Sequence, residues 1–126
     1  MQEQESWRRL LLRTEKTAQE YEDFQKSHPK RDGCGLCNDK EIINEYKYWQ
    51  LMPNRFPYDR YFSKSEMLVS KRHTDETGLT QEEKAELFKL KQELTDSYDI
   101  IFENLPKQKS IPHHIHYHLV EIKKVV

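Results

Sequence analysis

Two periods govern where apolar side chains fall along this chain, and the switch between them predicts its elements. Across residues 5–27, Trp7, Leu10, Leu11, Thr14, Ala18, Tyr21 and Phe24 return at steps of three and four, while Arg8, Arg9, Glu15, Glu22 and Asp23 fill the other faces. That spacing predicts an amphipathic helix ending before Pro29, its stripe read first as burial against the nearest core, with dimer contact and a lid over a site as the other uses. Residues 41–46 read as a strand, and 47–52 and 67–72 as neighbouring strands, the second ended by His73. The turn-rich stretch from Pro53 to Lys64 joins the last two, with Tyr58, Tyr61 and Phe62 expected to pin it to the core. A loop follows, and then Thr80-Gln81-Glu82-Glu83 forms a capping box that opens a helix. Leu87, Leu90, Leu94, Tyr98, Ile101 and Leu105 carry its stripe to the stop at Pro106, a length of roughly 40 Å at 1.5 Å per residue. The last period is two. In Pro112-His113-His114-Ile115-His116-Tyr117-His118-Leu119-Val120 it puts His114, His116 and His118 on one face and His113, Ile115, Tyr117 and Leu119 on the other.

These elements predict an α+β fold. An antiparallel sheet of residues 41–52, 66–72 and 112–124 carries the long helix on one face, with the N-terminal helix as an addition. The polar face of such a sheet needs a cover, which the N-terminal helix or a second subunit would give. At 126 residues the chain has room for one domain, so 1–30 reads as a helical extension and 31–126 as the domain proper. Charged residues make up 34% and hydrophobic ones 35%, polar for a globular chain but organised into amphipathic segments, which excludes a disordered one. A formal net charge of −1 gives no long-range attraction to nucleic acid or an anionic membrane; local charges leave room for a small phosphorylated ligand. No apolar run approaches membrane-spanning length and the first residues, Met-Gln-Glu-Gln-Glu, are acidic, so a cytoplasmic protein is expected.

Chemistry concentrates in two places. The alternating histidines stand roughly 7 Å apart along their strand face, and imidazoles that titrate near neutrality can bind a metal, move protons or attack an electrophile such as phosphorus. The other place is Cys34-Gly35-Leu36-Cys37, behind the basic, turn-rich linker 28–33. Such a pair is a redox couple or half of a zinc site. A redox pair caps a helix that follows a strand, whereas Asn38-Asp39-Lys40 reads as a turn, which favours zinc; His73 and the histidine-rich segment offer the further ligands.

The stretch 114–120, His-Ile-His-Tyr-His-Leu-Val, resembles the His-φ-His-φ-His-φ-φ signature of the histidine triad superfamily of nucleotide hydrolases and nucleotidyl transferases, φ being apolar. Asn54-Arg55-Phe56-Pro57-Tyr58-Asp59 with Met67-Leu68-Val69-Ser70-Lys71-Arg72-His73 is similar to that family's Asn-x-x-Pro turn and following strand. Cys34-Gly35-Leu36-Cys37 is similar to the zinc-binding CxxC of many bacterial members and of the related galactose-1-phosphate uridylyltransferases. The chain departs from the family pattern at Ser65 and Ser70, where histidine and proline are usual, and in having neither an arginine after the triad nor a glycine-rich approach to it.

The resemblance implies an enzyme in which His116 attacks the α-phosphorus of a nucleotide conjugate and His118 contacts phosphate oxygens or the leaving group. It implies a structural zinc held by Cys34, Cys37, His73 and His114, a ribose neighbour in Asn54, a leaving-group helper in Ser110, and commonly a homodimer. Two other readings stay open: a zinc-stapled nucleotide-binding or interaction module without catalysis, and an independent metal site made by His114, His116 and His118 with His73.

Overall fold

The computed structural model describes residues 10–27, 34–38, 41–105 and 113–124, and its α+β architecture rests on one antiparallel sheet. In chain order the elements are helix α1 (Glu15–Ser27), the single turn α2 (Gly35–Asn38), strands β1 (Asn44–Glu45), β2 (Trp49–Pro53) and β3 (Phe62–Ser70), helix α3 (Gln81–Glu93), and strands β4 (Ile100–Phe102) and β5 (His116–Ile122). Short 3-10 turns, Glu76–Gly78 and Leu94–Asp96, flank α3. The sheet order is β1-β2-β3-β5-β4, so the histidine strand lies inside the sheet and both its ladders are occupied.

Register follows the period-two pattern. Leu68 stands opposite Tyr117 and Leu51 opposite Leu68, and these side chains join Trp49, Ile115 and Leu119 in a core closed by Leu79, Leu87 and Leu90 of the α3 region. On the reverse face Val69 stands opposite His116 and Met67 opposite His118, with Met52 beside Met67. Leu36 packs on Met52, Met67 and Val69 there, so the CxxC turn sits directly on the histidine face. His113, assigned by alternation to the packed face, is exposed, because the chain is still in a turn at that point.

Helix α3 begins as its sequence dictates. Thr80 Oγ1 accepts from Glu83 N at 3.1 Å and Glu83 Oε1 accepts from Thr80 N at 2.8 Å, which completes the capping box. The same carboxylate, 2% exposed, takes a two-pronged hydrogen bond from Arg72 at 3.0 and 2.7 Å. Arg72 above all, and then Thr80, hold the Glu83 carboxyl down to about 2 against the cost of burial. The helix is bolted to β2 by Trp49 Nε1 donating to Glu83 O at 2.9 Å and by Glu86 Oε1 accepting from Tyr48 N and Trp49 N.

The helix stops well short of 105. Its 13 residues span about 20 Å, and Tyr98, Ile101 and Leu105 are not on it. Thr95 turns its hydroxyl onto the carbonyls of Lys91 and Gln92, and with Asp96 and Ser97 forms a stretch of residues that compete with the helical ladder through their own side chains. Beyond it Ile100-Ile101-Phe102, β-branched and aromatic, join the sheet as β4, with Ile100 opposite Val120 and Phe102 opposite His118. Asp99 seals the junction, donating from N to Val120 O and accepting at Oδ2 from Ile122 N.

The strand limits also move. Of 41–46 only Asn44 and Glu45 are strand, with Ile43 N and Tyr46 N donating to Leu51 O and Trp49 O on either side; β3 begins at Phe62 inside the expected connection and ends at Ser70, so His73 lies beyond it; β5 begins at His116, leaving 113–115 as its lead-in. The N-terminal helix is broken at Arg13 and Thr14, with Leu10–Leu12 helical before the break; Trp7, Arg8 and Arg9 lie outside the described residues. Thr14 O accepts from Ala18 N, and Thr14 and Thr17 both hydrogen-bond the Asp59 carboxylate. Tyr21 and Phe24 pack on Phe56 at 5.0 and 5.2 Å between centroids, so α1 is seated on the 54–60 connection. No helix among the described residues is long and apolar enough to cross a membrane.

Candidate functional site

Three segments converge beside the start of β5. Cys34 and Cys37 come from the turn around α2, where the buried side chain of Leu36 anchors them to β2 and β3. His73 comes from the loop after β3. His114 comes from the lead-in, which two backbone bonds fix: Ile115 N to Thr74 O at 2.7 Å and Ser70 N to Ile115 O at 3.3 Å.

The four side chains form a set that could hold a metal ion, with ligand atoms all within 4.8 Å of one another. His114 Nδ1 lies 3.4 Å from each sulfur, and His73 Nδ1 lies 3.3 Å from Cys37 Sγ. A tetrahedral zinc with bonds near 2.3 Å to sulfur and 2.0 Å to nitrogen has sulfur-to-nitrogen edges of about 3.5 Å. The three sulfur-to-nitrogen distances given are thus close to ligating spacing. His114 Nε2 donates to Ser70 O at 2.6 Å, which puts the ring proton there and leaves the Nδ1 lone pair facing the two thiols. Burial above all lowers the His114 pKa, keeping the ring neutral as a ligand must be.

The next imidazole along is tied to the same residue. His116 Nδ1 donates to the backbone carbonyl of His114 at 2.8 Å; a carbonyl can only accept, so Nδ1 carries the proton and Nε2 carries the lone pair in the neutral ring. Such a ring can act as nucleophile or base without first losing a proton.

His118 stands in an aromatic slot, stacked on Phe102 at 5.2 Å and tilted against Tyr58 at 4.7 Å, with His116 edge-on at 5.4 Å. Its Nε2 lies 3.4 Å from Tyr58 Oη, which also accepts from Asn104 Nδ2 at 2.9 Å. Its Nδ1 is buried and has no hydrogen-bond partner among the described residues. Burial, then His116, then the Arg13 guanidinium push its pKa down to about 3, so this ring is neutral at physiological pH. The three triad histidines are 2%, 6% and 4% exposed. The histidine face of β5 is therefore covered at these residues.

The three imidazoles do not surround one point. His114 turns toward the cysteines, and His116 and His118 lie outside the one ligand group found among the described residues, which speaks against an independent three-histidine metal site. Asn54 spends both polar ends on its own connection: Oδ1 accepts from Phe56 N at 3.2 Å and Nδ2 donates to Ser65 Oγ at 3.4 Å. Ser65 Oγ also accepts from Tyr58 N, so this serine shapes the loop that carries Tyr58. Ser110 lies outside the described residues.

Four residues at the site went unassigned in the sequence: Leu36, Tyr58 as a hydrogen-bonding group, Asn104 and Arg13. Of these only Leu36 has a local signal, as the apolar residue inside the CxxC; the others reach His118 from far along the chain. No family model matches the chain, and no curated protein matches it.

Proposed function

We propose that the protein is a nucleotide hydrolase or nucleotidyl transferase of the histidine triad type, with a HIT-like fold and a structural zinc. The observation that carries this reading is the hydrogen bond from His116 Nδ1 to His114 O, which fixes the tautomer of the neutral ring and so leaves its lone pair on Nε2. Nε2 of His116 attacks the α-phosphorus of a nucleotide conjugate; the Nε2–P bond forms, the bond from phosphorus to the leaving group breaks, and the leaving group departs with the electron pair and takes a proton from solvent. Water or another acceptor then attacks phosphorus and gives its proton to solvent, the P–Nε2 bond breaks with its electron pair returning to Nε2, and the neutral imidazole is restored. The buried Nδ1–H of His118 donates to a phosphoryl oxygen as charge develops there. Cys34, Cys37, His73 and His114 hold the zinc, which when bound supplies a crosslink between the CxxC turn and the catalytic strand.

The serines at 65 and 70 and the missing arginine after the triad favour a second reading, a zinc-stapled module that binds nucleotide without turning it over. One assay separates the two. Purified protein with measured metal content is offered dinucleoside polyphosphates, adenosine phosphoramidates and nucleotide sugars; release of nucleoside monophosphate supports the enzyme, binding of that monophosphate without any release supports the module, and neither result on any compound removes both.

A further inference from the structure

Arg13 occupies the break between the helical turn Leu10–Leu12 and α1, and its guanidinium lies 4.5 Å from the Tyr21 ring centroid and 4.7 Å from that of Tyr58. Its Nε donates to Phe56 O at 2.7 Å. The backbone on both sides is tied to the same connection: Arg60 N donates to Leu12 O at 3.0 Å, Arg60 Nη1 to Leu10 O at 2.8 Å, and Thr14 N to Asp59 Oδ1 at 2.9 Å. Six polar and stacking contacts thus position one half-buried cation. Among the described residues no carboxylate forms an ion pair with it. A guanidinium held rigidly, partly desolvated and without a counter-ion is an incomplete arrangement that an anion completes.

Where that anion would sit follows from Tyr58. Its single oxygen accepts from Asn104 Nδ2, an amide nitrogen that cannot accept in return, so the phenolic proton is left to point at His118 Nε2. His118 must then carry its own proton on Nδ1, the buried nitrogen that has no partner among the described residues. One cation and one orphan donor, joined through Tyr58, border the histidine row.

We infer that Arg13 is the anion-binding cation of the histidine site: it takes a phosphoryl oxygen of the nucleotide whose α-phosphorus faces His116, while His118 Nδ1 donates to the same group. This rests on the nucleotide reading for the identity of the ligand, and on the geometry of Arg13, Tyr58 and His118 alone for the anion seat. The N-terminal helix is on this account part of the binding site, since it delivers the charge.

The test is calorimetric titration of the full-length, metal-replete protein with a nucleoside monophosphate and with inorganic phosphate, at two salt concentrations, on the parent, Arg13→Gln, Arg13→Met and Arg13→Lys. Losing a charge-assisted hydrogen bond should weaken both ligands roughly tenfold to a hundredfold in Arg13→Gln. Arg13→Met keeps the stem on Tyr21 and Tyr58 and should lose as much, which guards against a folding defect in the glutamine variant; Arg13→Lys should recover part. Binding to the parent should weaken with salt and binding to Arg13→Met should do so less. Parent protein that binds phosphate in an Arg13-dependent way but no nucleotide keeps the anion seat and removes the nucleotide reading. Arg13→Met that binds nucleotide as tightly as the parent overturns the role of Arg13 and leaves the nucleotide reading standing. A parent that binds neither ligand overturns the inference.

Discussion

His114 serves two partners at once: its imidazole Nδ1 faces the sulfurs of Cys34 and Cys37, and its backbone carbonyl accepts the proton of His116 Nδ1 at 2.8 Å. The candidate metal centre and the candidate nucleophile therefore share one residue. Anything that lets the lead-in to β5 move also lets the tautomer and aim of His116 relax.

Metal removal should consequently affect stability and activity together. Protein purified without added metal is expected to contain about one zinc per chain, the ratio of a four-ligand structural site. Chelation, or Cys37→Ser, should lower the melting temperature and reduce turnover. Elemental analysis with thermal melts on the same sample checks this; metal-free protein that melts where the untreated sample does would contradict it.

Glu83 gives a stability prediction with a pH signature. Its carboxyl sits at about 2 in the fold against an ordinary 4.5, so the unfolded chain binds more protons between those values and stability falls as pH drops from about 4.5 to about 2. Above 4.5 the contribution is fully present. Glu83→Gln should cost about 1–3 kcal/mol at pH 7 by leaving part of the Arg72 and Thr80 network unmet, with the half-exposed Arg72 keeping it toward the lower end. The difference from the parent should shrink in acid. Urea unfolding at pH 7 and pH 3 reads both; an equal difference at the two values would place the cost elsewhere.

His118 predicts a second, higher window. A ring at about 3 in the fold and 6.5 when unfolded stays neutral while the unfolded chain takes up a proton, so stability is full above about 6.5 and declines toward about 3. The slope inside the window approaches 1.4 kcal/mol per pH unit, roughly the value of one proton. On metal-free protein, where proton competition for the ligands is absent, His118→Phe should flatten the pH dependence between 6.5 and 4. Matching slopes for the variant and the parent would show that His118 is not the group responsible.

What the sequence disclosed, and what it concealed, follows from the range of the interactions. The alternation around Ile115, Tyr117 and Leu119 is a local property of a strand, and it sorted the apolar residues from His116 and His118 as expected. The capping box at Thr80 and Glu83 is local too. Cys34, Cys37 and His73 were legible from residue type, because few side chains in this chain can bind such a metal, whereas the choice of His114 within the histidine row came from the family resemblance. The end of α3 was concealed: Tyr98, Ile101 and Leu105 keep helical spacing by coincidence, and only pairing with β5 pulls Ile100–Phe102 into the sheet. Equally concealed was the break at Arg13, since an unbroken stripe from Leu10 to Tyr21 gives no sign that Asp59 will capture Thr14 and Thr17. Tyr58 meets His118 across a separation of 60 residues, which no local pattern encodes.

The account stands on His116 as nucleophile, and the most direct test is the intact mass of the protein quenched during turnover of a nucleotide conjugate, with peptide mapping of any adduct. The parent should carry one nucleotidyl group on His116; His116→Ala should carry none and turn over nothing while it still folds and keeps its zinc, with a melting temperature lowered by the lost hydrogen bond to His114 O. An adduct on another residue, or near-full activity in His116→Ala on every substrate that the parent cleaves, would contradict the account.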